Sequence, residues 1–278
     1  MIYTDFQHSP DAGDKARLVV AKLLPLLPSE QMRRALGRRL FPDFYSQFGN
    51  RIRLLITGMA PIRAEIGKFF ARLGLPLAES YGMVEAGSVT YRTANSREYG
   101  SVGKLLEGIE VSFTAEGEII VHRNDPLTLR YFQCAEGENE RTFVGPGTVA
   151  TGDIGKLDAD GNLYLLGRKK ELIITAGGLK VHPEVMEQEL NGCPDVSHSV
   201  IFLKPDAAHL TCVVDLHPPG DEEAKMRVRK FVAGLKSTKK AAQFVEVIFA
   251  DAPFTKENGM LRPNLKIDRK RIVATYGN

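Results

Sequence analysis

Residues 53–85 read RLLITGMAPIRAEIGKFFARLGLPLAESYGMVE, and this stretch decides the fold. Leu54 to Thr57 is a short apolar run of the kind buried in a sheet. Gly58-Met59-Ala60-Pro61 breaks it, and the spacing predicts a helix from Arg63 to Leu73. Pro76 to Ala78 reads as a second short strand, closed by a loop at Glu79-Ser80-Tyr81-Gly82. Strand, helix and strand in succession imply a parallel α/β sheet, in which ligands sit at the loops leaving the strands' carboxyl ends. Both loops are therefore expected on a functional edge.

Upstream, Asp14 to Phe48 reads helical. Met32, Ala35, Leu36 and Leu40 recur at helical spacing with Arg33, Arg34 and Arg38 on other faces, and Pro42 is expected to stop the run. An amphipathic surface helix with solvated arginines outweighs a basic helix on anionic lipid, since a few arginines on one helix are common. Downstream, Gly100 to Tyr164 is rich in strand signals: Val111-Ser112-Phe113 and Glu118-Ile119-Ile120-Val121 flank Gly117. Lys156-Leu157 and Leu163 to Leu166 flank Asp160-Gly161, a strong hairpin signal. After Gly167-Arg168-Lys169-Lys170 comes an α+β segment. It has strands at 172–175, 199–203, 210–216 and 245–249, helices at 183–191 and 222–236, and a short final helix. A boundary near Lys170 divides the chain into 1–169, itself an α/β segment (about 50–99) and a β-rich segment (about 100–166), and 170–278.

At 278 residues, 43% hydrophobic and 26% charged, the composition is that of a globular chain with a core of its own. Thirty-seven Lys+Arg against 34 Asp+Glu leave a net charge of only +3, which argues against nucleic acid as a partner. Cys134, Cys193 and Cys212 are too few for a disulfide framework and point to a reducing compartment. Leu18 to Leu27, the longest apolar stretch, is interrupted by Lys22 and Pro25, and Met1 to Pro10 has no signal-peptide pattern. The expected location is the cytoplasm, with peripheral contact at the inner membrane surface as the furthest extension.

Several signals fail on context. Gly145-x-Gly147-x-x-Ala150 is followed by another strand and so is no dinucleotide fingerprint; Gly100 to Lys104 lacks the earlier glycine and following Ser/Thr of a phosphate loop. Cys193 with His198, and Cys212 with His217, look like paired metal ligands, but on a strand from Cys212 to His217 residues five apart point to opposite faces, which disfavours zinc.

Four segments suit a nucleotide and its phosphates. Tyr81-Gly82-Met83-Val84-Glu85 puts an aromatic ring, a flexible glycine and a carboxylate on one loop, although a core tyrosine and a solvated glutamate would look the same. Asp153, on the turn Thr151-Gly152-Asp153, offers two acceptors to vicinal hydroxyls or, more blandly, bonds its own backbone. Gly167-Arg168 adds a planar donor fork. Ile174 to Val181 is a glycine loop before His182-Pro183-Glu184, where Pro183 suits the first turn of a helix. Near the end, Glu257 to Lys266 is a polar loop delivering a lysine, a mobile charge able to neutralise phosphate or carboxylate.

In this order and spacing, the segments resemble the ANL superfamily of acyl-adenylate-forming enzymes, and most nearly the long-chain fatty acyl-CoA synthetases. The resemblance runs from about Arg51 to Ile272. Gly58-Met59-Ala60-Pro61 is similar to the Gly-Ala-Pro loop near the adenine, which assigns Gly58, Ala60 and Pro61 to nucleotide binding. Tyr81-Gly82-Met83-Val84-Glu85 resembles Tyr-Gly-x-Thr-Glu, with Val84 where a threonine is usual. The resemblance implies that Tyr81 and Gly82 meet adenine and that Glu85 positions Mg²⁺. It further implies that Asp153 and Arg168 hold the ribose and that Lys170 is a hinge. Gly177, Gly178 and Lys180 would then line the path of the thiol acceptor, and Lys266 would be the catalytic lysine.

The implied architecture is α/β: the end of a large adenylation domain with a barrel-like β-rich part, followed by a mobile small α+β C-terminal domain. The implied reaction is ATP-dependent activation of a carboxylic, most naturally fatty, acid and its transfer to coenzyme A, with ATP, Mg²⁺ and coenzyme A as cofactors and substrates. The family's Ser/Thr/Gly-rich phosphate loop and acyl-binding half do not occur before Gly58, so the chain is expected to be a fragment, one half of a split gene with a separate N-terminal half as partner, or a truncated relative. Two alternatives stay open: a non-catalytic nucleotide-binding or interaction fragment, and transfer to a carrier-protein thiol.

Overall fold

The computed structural model describes residues 17, 19–49, 51–58, 62, 64–75, 77–93, 96, 98–175, 178–205, 207, 209–235 and 245–277. The chain divides into two compact units, Met1–Leu165 and Leu166–Asn278.

In the first unit, helix α1 (Glu30–Leu40) starts on Ser29, whose hydroxyl accepts the Met32 amide. Pro42 does not simply end the run. It opens a second short helix, α2 (Pro42–Ser46), because a proline suits a first turn whose N–H would be unpaired anyway. Phe44 and Tyr45 of α2 pack with Phe69 of α3 (Ala64–Arg72) and with Leu73 and Leu75, and the Tyr45 hydroxyl donates to the Leu73 carbonyl at 3.0 Å.

Nine strands form one sheet. Strand β1 (Leu55–Thr57) pairs in parallel with β2 (Leu77–Met83), as the strand–helix–strand pattern predicts. From there the expected parallel sheet is corrected: β2 pairs antiparallel with β3 (Gly87–Arg92), and β4 (Gly103–Leu105) follows antiparallel. The sheet then runs through β9 (Asn162–Arg168), β8 (Thr148–Leu157), β6 (Glu118–Arg123) and β5 (Ile109–Phe113), with β7 (Phe143–Gly145) on β8. The α/β and β-rich segments thus share one continuous sheet. Among the described residues no pairing joins its ends, so the barrel-like expectation is replaced by an open sheet. The turns at Gly117 and Gly161, both at positive φ, connect β5 to β6 and β8 to β9 where the hairpin signals lie. The loop expected at 79–82 is also corrected, since Glu79 to Gly82 belong to β2. Their polarity is absorbed across the sheet, where Glu79 lies opposite Arg92 and Ser80 opposite Tyr91.

In the second unit, β10 (Ile173–Ile174) and β11 (Lys180–Val181) form a short antiparallel ribbon. Strands β12 (Val196–Leu203), β13 (Leu210–Leu216) and β14 (Val245–Phe249) form a three-stranded sheet, antiparallel then parallel. Period-two alternation splits its side chains between two cores. Ile201, Cys212 and Val214 pack with Met186 and Leu190 of α4 (Pro183–Leu190) and Val228 of α5 (Glu222–Gly234). Val200, Phe202 and Val213 pack with Phe254, Met260 and Ile272, the last on α6 (Arg269–Tyr276). With both faces covered, β13 is buried from end to end, the polar Thr211 and Asp215 included. No described helix is long and apolar enough to cross a membrane.

Candidate functional site

The site is built on β2. Where β1 ends, Gly58 runs so close to this strand that a Cβ would lie 2.9 Å from the Ser80 carbonyl oxygen. Ala60 and Pro61 lie outside the described residues. The chain beyond them is fastened by Glu79, whose Oε1 accepts the Ile62 amide at 2.9 Å and whose Oε2 meets Arg92 Nη2 at 3.2 Å. Both side chains are about fully buried, and Arg92 also stacks over the Tyr99 ring. Burial pushes the Glu79 carboxyl up, with the Ile62 amide and Arg92 acting against it. This pair escapes a sequence reading because two charges on a short polar run resemble a loop. A strand reading extended through Gly82 would have turned Glu79 inward.

Two side chains of the candidate site meet directly. The Tyr81 hydroxyl donates to Asp153 Oδ2 at 2.7 Å, and both residues are buried. Tyr81 also packs in the core with Val89, Ile119 and Leu163. Asp153 is held on β8 from several sides. Its amide donates to Thr151 Oγ1 at 3.0 Å, the Thr151 hydroxyl donates to the Ile119 carbonyl, and Gly152, at φ +70°, donates its amide to Glu118 Oε1. Gly82 has a steric duty: a Cβ there would stand 2.4 Å from the Gly87 carbonyl oxygen across the hairpin. The next residues turn into β3, and Glu85 accepts the Tyr131 hydroxyl at 2.5 Å. Burial, followed by the bond to Glu85, raises the Tyr131 phenol above its ordinary range. Val84, 86% exposed, projects from the same turn. Gly58, Tyr81, Gly82 and Glu85 therefore lie on β2 or at its flanks, and the Tyr81 hydroxyl reaches Asp153 on β8. A phenol–carboxylate pair suits hydroxyl ligands, and a carboxylate such as Glu85 suits a metal-phosphate.

The second unit carries the remaining candidates. Arg168 ends β9, and its amide donates to Glu184 Oε1 at 3.1 Å. That carboxylate crosses Gly167, whose φ of +146° and open Cα admit it: a Cβ would meet Glu184 Oε2 at 2.4 Å. Lys170 lies in a single 3₁₀ turn, Lys169–Glu171, and is exposed. Gly178, at φ +75°, closes the β10–β11 ribbon by donating to the Thr175 carbonyl, and Lys180 is the first, exposed residue of β11. Gly177 lies outside the described residues. Lys266 sits on a hairpin whose arms meet at Leu261 and Ile267; the Arg262 amide donates to the Lys266 carbonyl at 2.8 Å. Leu265 at the tip takes a φ of +64°, an unusual strain for a leucine, and the Lys266 amide donates to Asn264 Oδ1. The hairpin is rooted by Asn258, which bonds the backbone of Pro253, Thr255 and Met260.

Comparison with known proteins shows what the chain is related to. The chain is 29% identical over 266 residues to the long-chain-fatty-acid–CoA ligase FadD15 of Mycobacterium bovis, covering 87% of this chain and 43% of that protein. It is 36% identical over 147 residues to the putative fatty-acid–CoA ligase fadD11 of Mycobacterium tuberculosis, covering 52% of this chain and 25% of that one. The chain is related to the acyl-CoA ligases. Its fold agrees: the crystal structure of ATP-bound MatB from Rhodopseudomonas palustris superposes with a TM-score of 0.68 at 27% identity, over 88% of this chain and 50% of that one. No protein-family model matches the chain. This acyl-CoA ligase relative spans less than half the length of FadD15.

Proposed function

We propose that this chain supplies the nucleotide-holding and thiol-transfer residues of an AMP-forming acid–thiol ligase, which activates a carboxylic, most naturally fatty, acid with ATP and hands it to coenzyme A. The observation that carries the reading is the Tyr81–Asp153 hydrogen bond, which joins two motif residues 72 positions apart into one buried polar pair. In this reading Tyr81 borders the adenine, while Asp153 and Arg168 accept and donate to the ribose hydroxyls. Glu85 is a hard oxygen donor, and no described group of three or more such side chains forms a metal cage. Glu85 would be the residue that holds Mg²⁺ with the nucleotide, and the ion would neutralise phosphate charge.

The substrate carboxylate oxygen attacks the α-phosphorus in line, and the bond to the bridging oxygen breaks with pyrophosphate as leaving group. Lys266 neutralises the charge that gathers on the carboxylate and α-phosphate oxygens. A turn at Lys170 then withdraws Lys266 and brings Gly177, Gly178 and Lys180 to the thiol path. The thiol sulfur, having lost its proton to solvent, attacks the acyl carbonyl, and the bond to AMP breaks. The proposed reaction also needs a phosphate loop and an acyl pocket, and the chain spans less than half the length of FadD15.

Calorimetric titration with AMP tests the nucleotide half of this reading. The wild-type chain is expected to bind, and Asp153→Asn and Arg168→Ala are each expected to weaken binding about tenfold or more, the cost of roughly one charge-assisted hydrogen bond. Binding that both variants leave unchanged would remove the assigned site.

A further inference from the structure

Arg269, the first residue of α6, is gripped by three separate parts of the second unit. Its Nη2 meets both Glu187 oxygens at 2.8 and 2.7 Å, its Nη1 donates to the Ile201 carbonyl at 2.9 Å, and its Nε stands 3.1 Å from Glu171 Oε2. Burial opposes the charge, but Glu187 and then Glu171 outweigh it and hold the guanidinium charged. Only a planar fork satisfies three directions at once; an ammonium is a single point.

The two ends of this contact are the informative part. Arg269 follows Lys266 by three residues, and Asp268, one of the two residues between them, is itself fixed. Its amide donates to the Met260 carbonyl at 2.8 Å, and its carboxylate accepts the Arg271 amide and pairs with Arg262 Nε at 3.2 Å. The base of the lysine hairpin is thus rigid. Glu171, for its part, directly follows Lys170. The Glu187 and Ile201 contacts are enough to seat the arginine in the fold. Glu171 is a 39% exposed partner, and exposed pairs add little to stability. Its contact is better explained by coupling than by folding.

Resting on the ligase reading above, we propose that Arg269 is a positioning residue: through Glu171 it locks the lysine-bearing hairpin to the segment that begins at the hinge. A turn at Lys170 then carries Lys266 as one stiff arm, and no slack is lost between pivot and charge.

The test is Glu171→Gln and Arg269→Lys in the 278-residue chain. Amide exchange at residues 261–268 is expected to quicken about two- to fivefold in Glu171→Gln, the scale of one exposed pair, with the β12–β13 amides unchanged. The same amides are expected to quicken in Arg269→Lys, since an ammonium does not reproduce the guanidinium fork. With an N-terminal half of a relative supplied, adenylate formation should fall while thiol transfer from preformed acyl-adenylate holds, since only the first needs Lys266. Hairpin amides that exchange at the wild-type rate in Glu171→Gln, or a quickening spread evenly over the unit, would overturn the coupling. If the wild-type chain forms no adenylate under any condition, the ligase reading fails by itself, and the exchange pattern still decides the coupling.

Discussion

Tyr81 works in two directions. Its ring belongs to the apolar core and its hydroxyl closes on Asp153. Removing that hydroxyl leaves a buried carboxylate oxygen without its donor, so Tyr81→Phe is expected to cost about 1–3 kcal/mol. Urea unfolding should show a lowered midpoint, and AMP titration a weaker affinity. Tyr81 and Asp153 were legible in the sequence because each sits in a short motif with a glycine beside it. What the residues touch was not: the glycine read as flexible at Gly82 is required by the Gly87 carbonyl across the hairpin, and Tyr131, the partner of Glu85, lies in a loop with no pattern. Steric and cross-strand reasons of this kind become visible only when register is known.

At the scale of elements, β2 is the organising strand. Helices and most strands follow from apolar periodicity, and strand 245–249 is where the sequence places it. The polar face of β2 was hidden because its charge is balanced by a residue 13 positions away, on a strand that a local window treats separately. Breaking this pair strands a buried charge, so Arg92→Met alone is expected to destabilise by about 3–5 kcal/mol, and Glu79→Leu with Arg92→Met by distinctly less. Chemical denaturation of both variants checks this; equal losses would mean the pair is not a unit. A second element-level link joins α2 to the end of α3. Burial lifts the Tyr45 phenol from 10.0 to about 12. The folded state therefore keeps a proton that the unfolded chain sheds first. The stability this group contributes is present below pH 10 and lost as pH rises toward 12. Tyr45→Phe is expected to flatten that alkaline slope in thermal melts.

For the whole molecule, the two cores of the second unit draw only on residues from 173 to 276. Residues 166–278 alone are therefore expected to unfold in one cooperative transition by circular dichroism, and a gradual, featureless melt would contradict this. The sequence changes pattern around Gly167 to Lys170, while the two compact units part between Leu165 and Leu166. The continuity of the nine-stranded sheet was not readable, since long-range antiparallel pairing leaves no local periodic trace. The chain spans less than half the length of FadD15. The most direct measurement is hydroxylamine trapping of acyl-adenylate from Mg-ATP and carboxylic acids of increasing length. It is made on the chain alone and with the N-terminal half of a relative, and Lys266→Ala serves as control. The account predicts trapped product that requires Lys266 and rises when the missing half is supplied. No product in either mixture, or product indifferent to Lys266→Ala, would contradict it and leave a nucleotide-binding protein without turnover.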